Sequence, residues 1–342
     1  MKKSTAMLLQ QRTRIHQAGV SLVELMVAMT IGLFLMGAVG IIYVNTSSTS
    51  RSSTLESQMN EDASLALEIL QQQIRLAGYS TIGATGARNF SGSAVRGCDG
   101  GFGTAGANNG GTLAFSALTC DSGTGPDALA VRYEGTVLNS QLADDSSAPP
   151  VKRPANCSHN GINNWVAGAA EGSALPIALA DNRYYIANDA NNVPSLFCKG
   201  RDGSAGTGFS AAAALIPNIE DMQIRYGITN AFGATGTNVP HQITAYVDAG
   251  DAELGNTVAD IPNWARVTAI RICLLARTAN PVPPGSNDFA DLGQYTDCSG
   301  TVQTNTDRFL RRAYVTTINL RNMRPRIPAS YEPGRNPFSD DS

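Results

Sequence analysis

The chain has 342 residues, with 28 acidic against 25 basic side chains and a formal net charge of −3; charged residues make up only 15% of it. A net acidic chain is a poor general binder of nucleic acid, because neutralising phosphates takes an excess of Lys and Arg; only the local cluster of Arg308, Arg311 and Arg312 runs against this. The length is ample for one sizeable core with large insertions, and 34 glycines point to a loop-rich body.

The first 19 residues hold Lys2, Lys3, Arg12 and Arg14 and no acid, which leaves 21 basic and 28 acidic residues, or −7, from Val20 onward. Then comes Gly19-Val20-Ser21-Leu22-Val23-Glu24, followed by residues 25–44 without one charge. At about 1.5 Å per residue that run covers roughly 30 Å, the thickness of a bilayer's hydrocarbon core. The basic residues ahead of it predict a cytoplasmic N-terminus and an exported remainder. An ordinary secretory signal has a shorter apolar stretch, usually about 7–15 residues. Ala38-Val39-Gly40 would serve as a conventional cleavage site, and a plain unprocessed anchor is the other bland alternative. Neither explains Glu24, since a carboxylate at the mouth of such a segment is expensive unless it snorkels or thins the bilayer locally.

The combination of a small residue, a hydrophobe, Ser, Leu, Val, Glu and an apolar helix resembles the processing site of type IV prepilins. The resemblance implies cleavage after Gly19 by a prepilin peptidase and methylation of the new N-terminus at Val20, where many pilins have Phe or Met. Cleavage would place an ammonium four residues before Glu24. Opposite charges attract strongly in an apolar setting, and a carboxylate left alone there would take up a proton. Family resemblance pairs the matching glutamate with the amine of a neighbouring subunit during assembly; its own Val20 amine is also within geometric reach.

The helical pattern continues past a Ser/Thr-rich patch at residues 46–54. Leu55, Met59, Ala63, Ala66, Leu67, Leu70, Ile74 and Ala77 recur in steps of three and four, while Arg51, Glu56, Glu61, Asp62, Glu68 and Arg75 fall mostly off that stripe. Gly78 stands where a C-terminal cap is expected, and no proline precedes Pro126. Residues 20–77 are therefore predicted as one helix of about 87 Å. Gly32, Gly37 and Gly40 each weaken it by about 1 kcal/mol relative to alanine. They fit a bend, a melted stretch or close packing in lipid equally well. The expected organisation is a leader over residues 1–19 and a helix over 20–78, membrane-spanning over 20–45 and amphipathic over 46–78. A periplasmic head over 79–323 and a tail over 324–342 follow. The tail, with four prolines and an acidic end, reads as extended or disordered.

All six cysteines (Cys98, Cys120, Cys157, Cys198, Cys273 and Cys298) lie in the exported part, and an even count there favours disulfides. By separation alone the expectation is sequential pairing: Cys98 with Cys120, Cys157 with Cys198, Cys273 with Cys298. None forms a CxxC, and only His159 and His241 remain after the leader, so no metal is expected. Candidate strands cover residues 112–118, 127–133, 183–186, 195–198, 219–226, 242–247, 265–276 and 312–320. Residues 188–192 read as a hairpin loop. Met222, Ile224 and Tyr226 share one face, and Val267, Ala269 and Ile272 suggest a core side. Residues 79–111 and 135–172 read as irregular. One long helix followed by strands argues an α+β architecture, with an antiparallel sheet packed on the helix's amphipathic half.

The segments at 74–79 (IRLAGY), 127–133 (DALAVRY), 219–227 (IEDMQIRYG), 266–275 (RVTAIRICLL) and 311–322 (RRAYVTTINLRN) resemble the PilW family of minor type IV pilins. That resemblance implies a pilin-like fold, insertion in the inner membrane with a periplasmic head, and a place at the pilus tip after assembly. Implied partners are other minor and major pilins, the prepilin peptidase, the inner-membrane assembly platform and a large tip adhesin. The implied roles are initiation of pilus assembly, twitching motility and adhesion. A minor pseudopilin of a type II secretion system would use the same helix and is the alternative.

Gly101, Gly103 and Gly106 match the dinucleotide fingerprint by letter, but no strand precedes them and no helix follows. Asp248, Asp251 and Glu253 lack the spacing of a calcium loop and read as a solvated acidic turn, and Asp181 and Asp189 fare no better. The histidines have no nucleophile pattern around them. Neither an enzyme nor a cofactor is expected; an anchored periplasmic enzyme or ligand-binding protein would need a convergent polar pocket that the sequence does not reveal.

Overall fold

A computed structural model describes residues 19–82, 89, 93–103, 115, 118–120, 125–163, 177–202, 208–229, 242–255, 257–282 and 293–323. Residues 1–18, the tail from 324, His241, the second half of 101–106 and most of the strand expected over 112–118 lie outside the described residues. The chain divides into two compact units, residues 1–51 and 52–342.

The described part of the first unit is helical, the opening stretch of α1 (Leu22–Leu76). Residues 25–44 are exposed almost throughout; Phe34 and Met36 are each 78% accessible. A helix satisfies its backbone internally, so this segment needs no protein neighbour to stay folded in lipid. Gly32, Gly37 and Gly40 all lie within α1, and a Cβ added at any of them would meet nothing within 4 Å.

In the second unit α1 becomes one-sided. Met59, Ala63, Ala66, Leu70 and Ile74 are buried, in steps of four, three, four and four, and Ala77 continues the stripe just past the helix end. The helix stops where Gly78 takes φ +77° and donates its N–H to the Arg132 carbonyl at 2.9 Å. Asn322 donates to the orphan carbonyl of Arg75 at 2.9 Å, tying the end of the chain's last strand region to the helix C-terminus.

Strands β1 (Val95–Cys98), β2 (Ala128–Glu134), β3 (Leu142–Asp144), β4 (Lys152–Pro154), β5 (Leu179–Asn188), β6 (Pro194–Gly200) and β7 (Ala213–Pro217) come first. Then follow β8 (Ile219–Ile228), β9 (Ala245–Val247), a 3-10 helix (Val258–Arg266), β10 (Val267–Arg277), β11 (Gln294–Thr296), β12 (Val302–Thr304) and β13 (Arg311–Asn319). One sheet has the order β1-β2-β5-β6-β7 and another β13-β10-β8-β9; β3-β4 and β11-β12 are separate hairpins. All these pairings are antiparallel. The fold is α+β: a long N-terminal helix with antiparallel sheets. The chain passes from β7 to β8 through Asn218, whose φ of 63° is a left-handed conformation that Asn tolerates. Its side chain reaches Asp62 of α1 at 3.3 Å.

One core joins the α1 stripe to Leu129, Val131, Tyr184 and Leu196 of the larger sheet and to Ile224, Ile272 and Leu274 of the smaller. The faces of β8 follow the expected alternation, with Met222, Ile224 and Tyr226 all in that core. On β10, Val267 and Ile272 enter the main core with Ile270 and Leu274; Ala269 is fully buried as well, but a register shift between Val267 and Ala269 puts it on the other face of the strand, beside Gly227. The stretches read as irregular also hold β1, β3 and β4. Strand β1 is short and buried at all four positions, so it carries no alternation to read. Residues 188–192 do close the β5–β6 hairpin, with the Asp189 carboxylate accepting the N–H groups of Asn191 and Val193.

The three disulfides are Cys98–Cys120, Cys157–Cys198 and Cys273–Cys298, with Cα separations of 5.1, 6.1 and 5.6 Å. Closing loops of this length stabilises by roughly 3–4 kcal/mol each on the chain-entropy account.

Candidate processing and assembly site

Residues 19–24 form a single turn of structure. Gly19, Val20 and Ser21 precede α1 in non-helical conformation and are exposed, with Val20 68% accessible. A Cβ on Gly19 would meet nothing within 4 Å among the described residues. Ser21 caps the helix: its hydroxyl oxygen accepts the Glu24 N–H at 3.2 Å, and its backbone N–H donates to the Glu24 carboxylate at 3.3 Å. Ser21 also supplies the first intrahelical carbonyl, to Leu25 N–H at 3.1 Å. This is a reciprocal capping box, which satisfies two backbone donors at the helix start. The carboxylate also sits at the positive end of the helix dipole.

Glu24 therefore has a partner that the sequence reading did not weigh. Between the two amines considered there lies the Ser21 backbone N–H, a donor present before any cleavage. Ser-x-x-Glu ahead of an apolar run is the signal for this cap, and the site expected from the sequence named Glu24 without Ser21. Gly19, Val20 and Glu24 are brought together in this turn; the six cysteines lie elsewhere, each in a disulfide of the second unit.

The acids considered for calcium have separate partners. Asp248 pairs with Arg225 at 3.4 Å, Glu253 pairs with Arg266 at 2.8 Å, and Asp251 accepts the N–H of Glu253. Asp181 is locked by Arg183 in a two-point ion pair at 3.0 Å, with both side chains buried and the guanidinium 4.1 Å over the Phe209 ring. No group of three or more His, Cys, Asp or Glu among the described residues has an arrangement that would hold a metal ion.

Residues 14–40 match the family model of the prokaryotic N-terminal methylation motif, and residues 183–322 match that of the type IV pilus-assembly protein W, PilW. The first match spans the capping turn and most of the apolar run. The second runs from within β5 to Asn322, the residue that caps the C-terminus of α1. Both agree with the resemblance read from the sequence. A type IV-like pilin from Thermus thermophilus is similar at 12% identity and a TM-score of 0.32, over 77% of this chain and 97% of that one. No curated protein matches the chain in sequence.

Proposed function

We propose that this chain, a type IV pilin-like protein with a PilW region and an N-terminal methylation motif, is a minor pilin that helps initiate pilus assembly at the tip, in support of twitching motility and adhesion. The observation that carries the reading is the capped turn at residues 19–24 at the head of an exposed, uncharged helix, together with the two family matches. Its role is structural: the apolar helix packs among other pilin helices, and the disulfide-braced head fits neighbouring heads.

The capping box gives the assembly step a concrete form. Before processing, Glu24 is satisfied by Ser21. Cleavage after Gly19 frees an ammonium at Val20, one residue before that cap, so the Ser21 N–H gains a charged competitor for the carboxylate oxygens. Transfer of Glu24 from its own cap to the amine of an adjacent subunit would neutralise both charges and set axial register as the subunit leaves the inner membrane. The PilW match supports the pilus over the secretion-system alternative.

Mass spectrometry of the membrane-extracted protein is expected to find a mature N-terminus at Val20; an intact Met1, or a start near Asn45, overturns the reading. Glu24→Ala is expected to be recovered from membranes with its head folded but depleted from sheared pili. Normal recovery in sheared pili would count against the assembly role of Glu24.

A further inference from the structure

The outer face of the β13-β10-β8-β9 sheet, opposite the face that carries Ile224 and Ile272 into the core, floors a cleft of about 640 Å³. Gln223, Arg225 and Arg271 project from the floor, with Asp99, Asp127 and Ser299 among the walls. The Cys273–Cys298 disulfide, which also lines the cleft, fixes the Ser299 wall to β10.

The cleft mixes charges: three carboxylates, Asp99, Asp127 and Asp248, line it with two guanidinium groups, Arg225 and Arg271. Arg225 and Arg271 stand directly opposite each other across β8 and β10. Like charges in that position repel, and among the described residues Asp248 offsets the repulsion on the Arg225 side, at 3.4 Å. The other carboxylates are turned elsewhere. Asp99 accepts the N–H groups of Ala249 and Gly250 at 3.0 and 2.8 Å, and Asp127 accepts that of Ile224 at 2.7 Å. Burial also raises the proton affinity of Asp127, to a pKa of about 7, so near neutrality it is only partly ionised. Arg271 has no carboxylate within ion-pair distance among the described residues; its guanidinium lies over the Tyr246 ring, 5.8 Å from the centroid. Its guanidinium is among the groups that line the cleft.

The chemistry narrows the ligand. A largely polar lining does not suit an apolar molecule. A phosphate would bring a second negative charge beside Asp99 and Asp248, whereas a carboxylate brings one and matches the arginine fork. The rest of the lining offers hydrogen bonds. The Gln223 amide donates to Asp221 and Gly125, leaving its carbonyl oxygen as an acceptor, and the Asp oxygens keep lone pairs beyond those already used. A body rich in hydroxyls satisfies such groups. We propose that this cleft binds a saccharide bearing a carboxylate, with the acid group on Arg271 and Arg225 and sugar hydroxyls on Gln223 and Asp127. The inference goes beyond the minor-pilin reading and does not depend on it.

The test uses the full mature protein in lauryldimethylamine oxide micelles, a detergent without a sugar head, titrated with 3′-sialyllactose, trigalacturonate and lactose by saturation-transfer NMR and calorimetry. At least one acidic sugar is expected to bind about tenfold or more tighter than lactose, and Arg271→Ala is expected to abolish that preference. Arg271→Lys should restore charge but not the fork, and should recover only part of the difference. Gln223→Ala should weaken acidic and neutral sugars alike. Intact disulfides and an unchanged near-ultraviolet spectrum from buried Trp264 establish that each variant is folded. No binding of either acidic sugar, equal binding of lactose, or undiminished preference in folded Arg271→Ala overturns the proposal.

Discussion

Gly97 lies so close to Tyr226 that a Cβ built on it would fall 1.7 Å from the phenolic oxygen and 2.5 Å from Cζ. Strand β1 can lie against the core only with glycine there. Gly97→Ala is expected to destabilise the head by about 1–3 kcal/mol through overpacking. The Tyr226 hydroxyl itself is fully buried and finds no hydrogen-bond partner among the described residues. Tyr226→Phe should therefore be neutral or slightly stabilising, since it removes an unsatisfied buried group, and should rescue part of the Gly97→Ala loss. Urea unfolding followed by Trp264 fluorescence measures both, and a large loss of stability in Tyr226→Phe would refute the account. Asp127 makes a second prediction at this scale. Burial raises its carboxyl from 3.8 to about 7, with Asp99 and Asp221 adding repulsion, while hydrogen bonds from Ile224 and Gly100 oppose the shift. The folded state then holds a proton that the unfolded chain has lost, so the stability Asp127 contributes is fully present below about pH 4 and disappears as pH rises to about 7. Asp297 works in the opposite sense. Hydrogen bonds from Ser299 and Gln303 lower it to about 2, so its contribution is lost only as pH falls below the ordinary aspartate value. Asp127→Asn should flatten the decline between pH 4 and 7 and leave the acid limb unchanged; an unaltered slope in that window would sink the assignment.

At the scale of the element, α1 contains two different helices in one. Residues 25–44 are apolar all round, so their periodicity says nothing about a face; the later stripe has small side chains at Ala63 and Ala66 and large ones at Met59, Leu70 and Ile74. Small and large side chains alike are buried in the one core that both sheets share. Leu70→Ala should cost about 2–5 kcal/mol by leaving a cavity, read as a lower unfolding midpoint of the head. Glu24→Ala removes only the carboxylate half of the capping box and leaves the Ser21 hydroxyl on the residue-24 N–H, so it should leave that midpoint unmoved. A head destabilised by Glu24→Ala would mean that the turn at residues 19–24 also supports the fold. The α1 stripe was readable because every position repeats one period. Strands β1, β3, β4, β11 and β12 were not, because three or four residues give a period of two too little room. The Val267/Ala269 irregularity on β10 was hidden for a related reason: a register shift changes which face a residue takes without changing its identity.

At the scale of the whole molecule, the disulfides bind regions that the hydrogen-bonded ladders leave apart. Cys157–Cys198 fastens the turn after β4 to β6, and Cys273–Cys298 fastens the β11–β12 hairpin to β10. The double variant Cys273→Ser/Cys298→Ser should lower head stability by roughly 3 kcal/mol and blunt any ligand preference of the cleft, whose wall it releases. Retention of full stability after this change would show that the hairpin is held by other contacts. The amino-acid sequence by itself determined the N-terminal turn, the apolar run, the amphipathic stripe and the α+β class, because each depends on neighbours a few residues apart in the chain. Ser21 belongs in that group as well, since its bond to Glu24 is local. Only the tertiary structure decided that Gly97 yields to Tyr226, that Ala269 is buried on the other face of β10 from Ile272, and that Arg225 and Arg271 share a cleft with Asp99 and Asp127. Those arrangements join residues tens to more than a hundred positions apart, and strand register and disulfide closure, not local propensity, bring them within reach of one another.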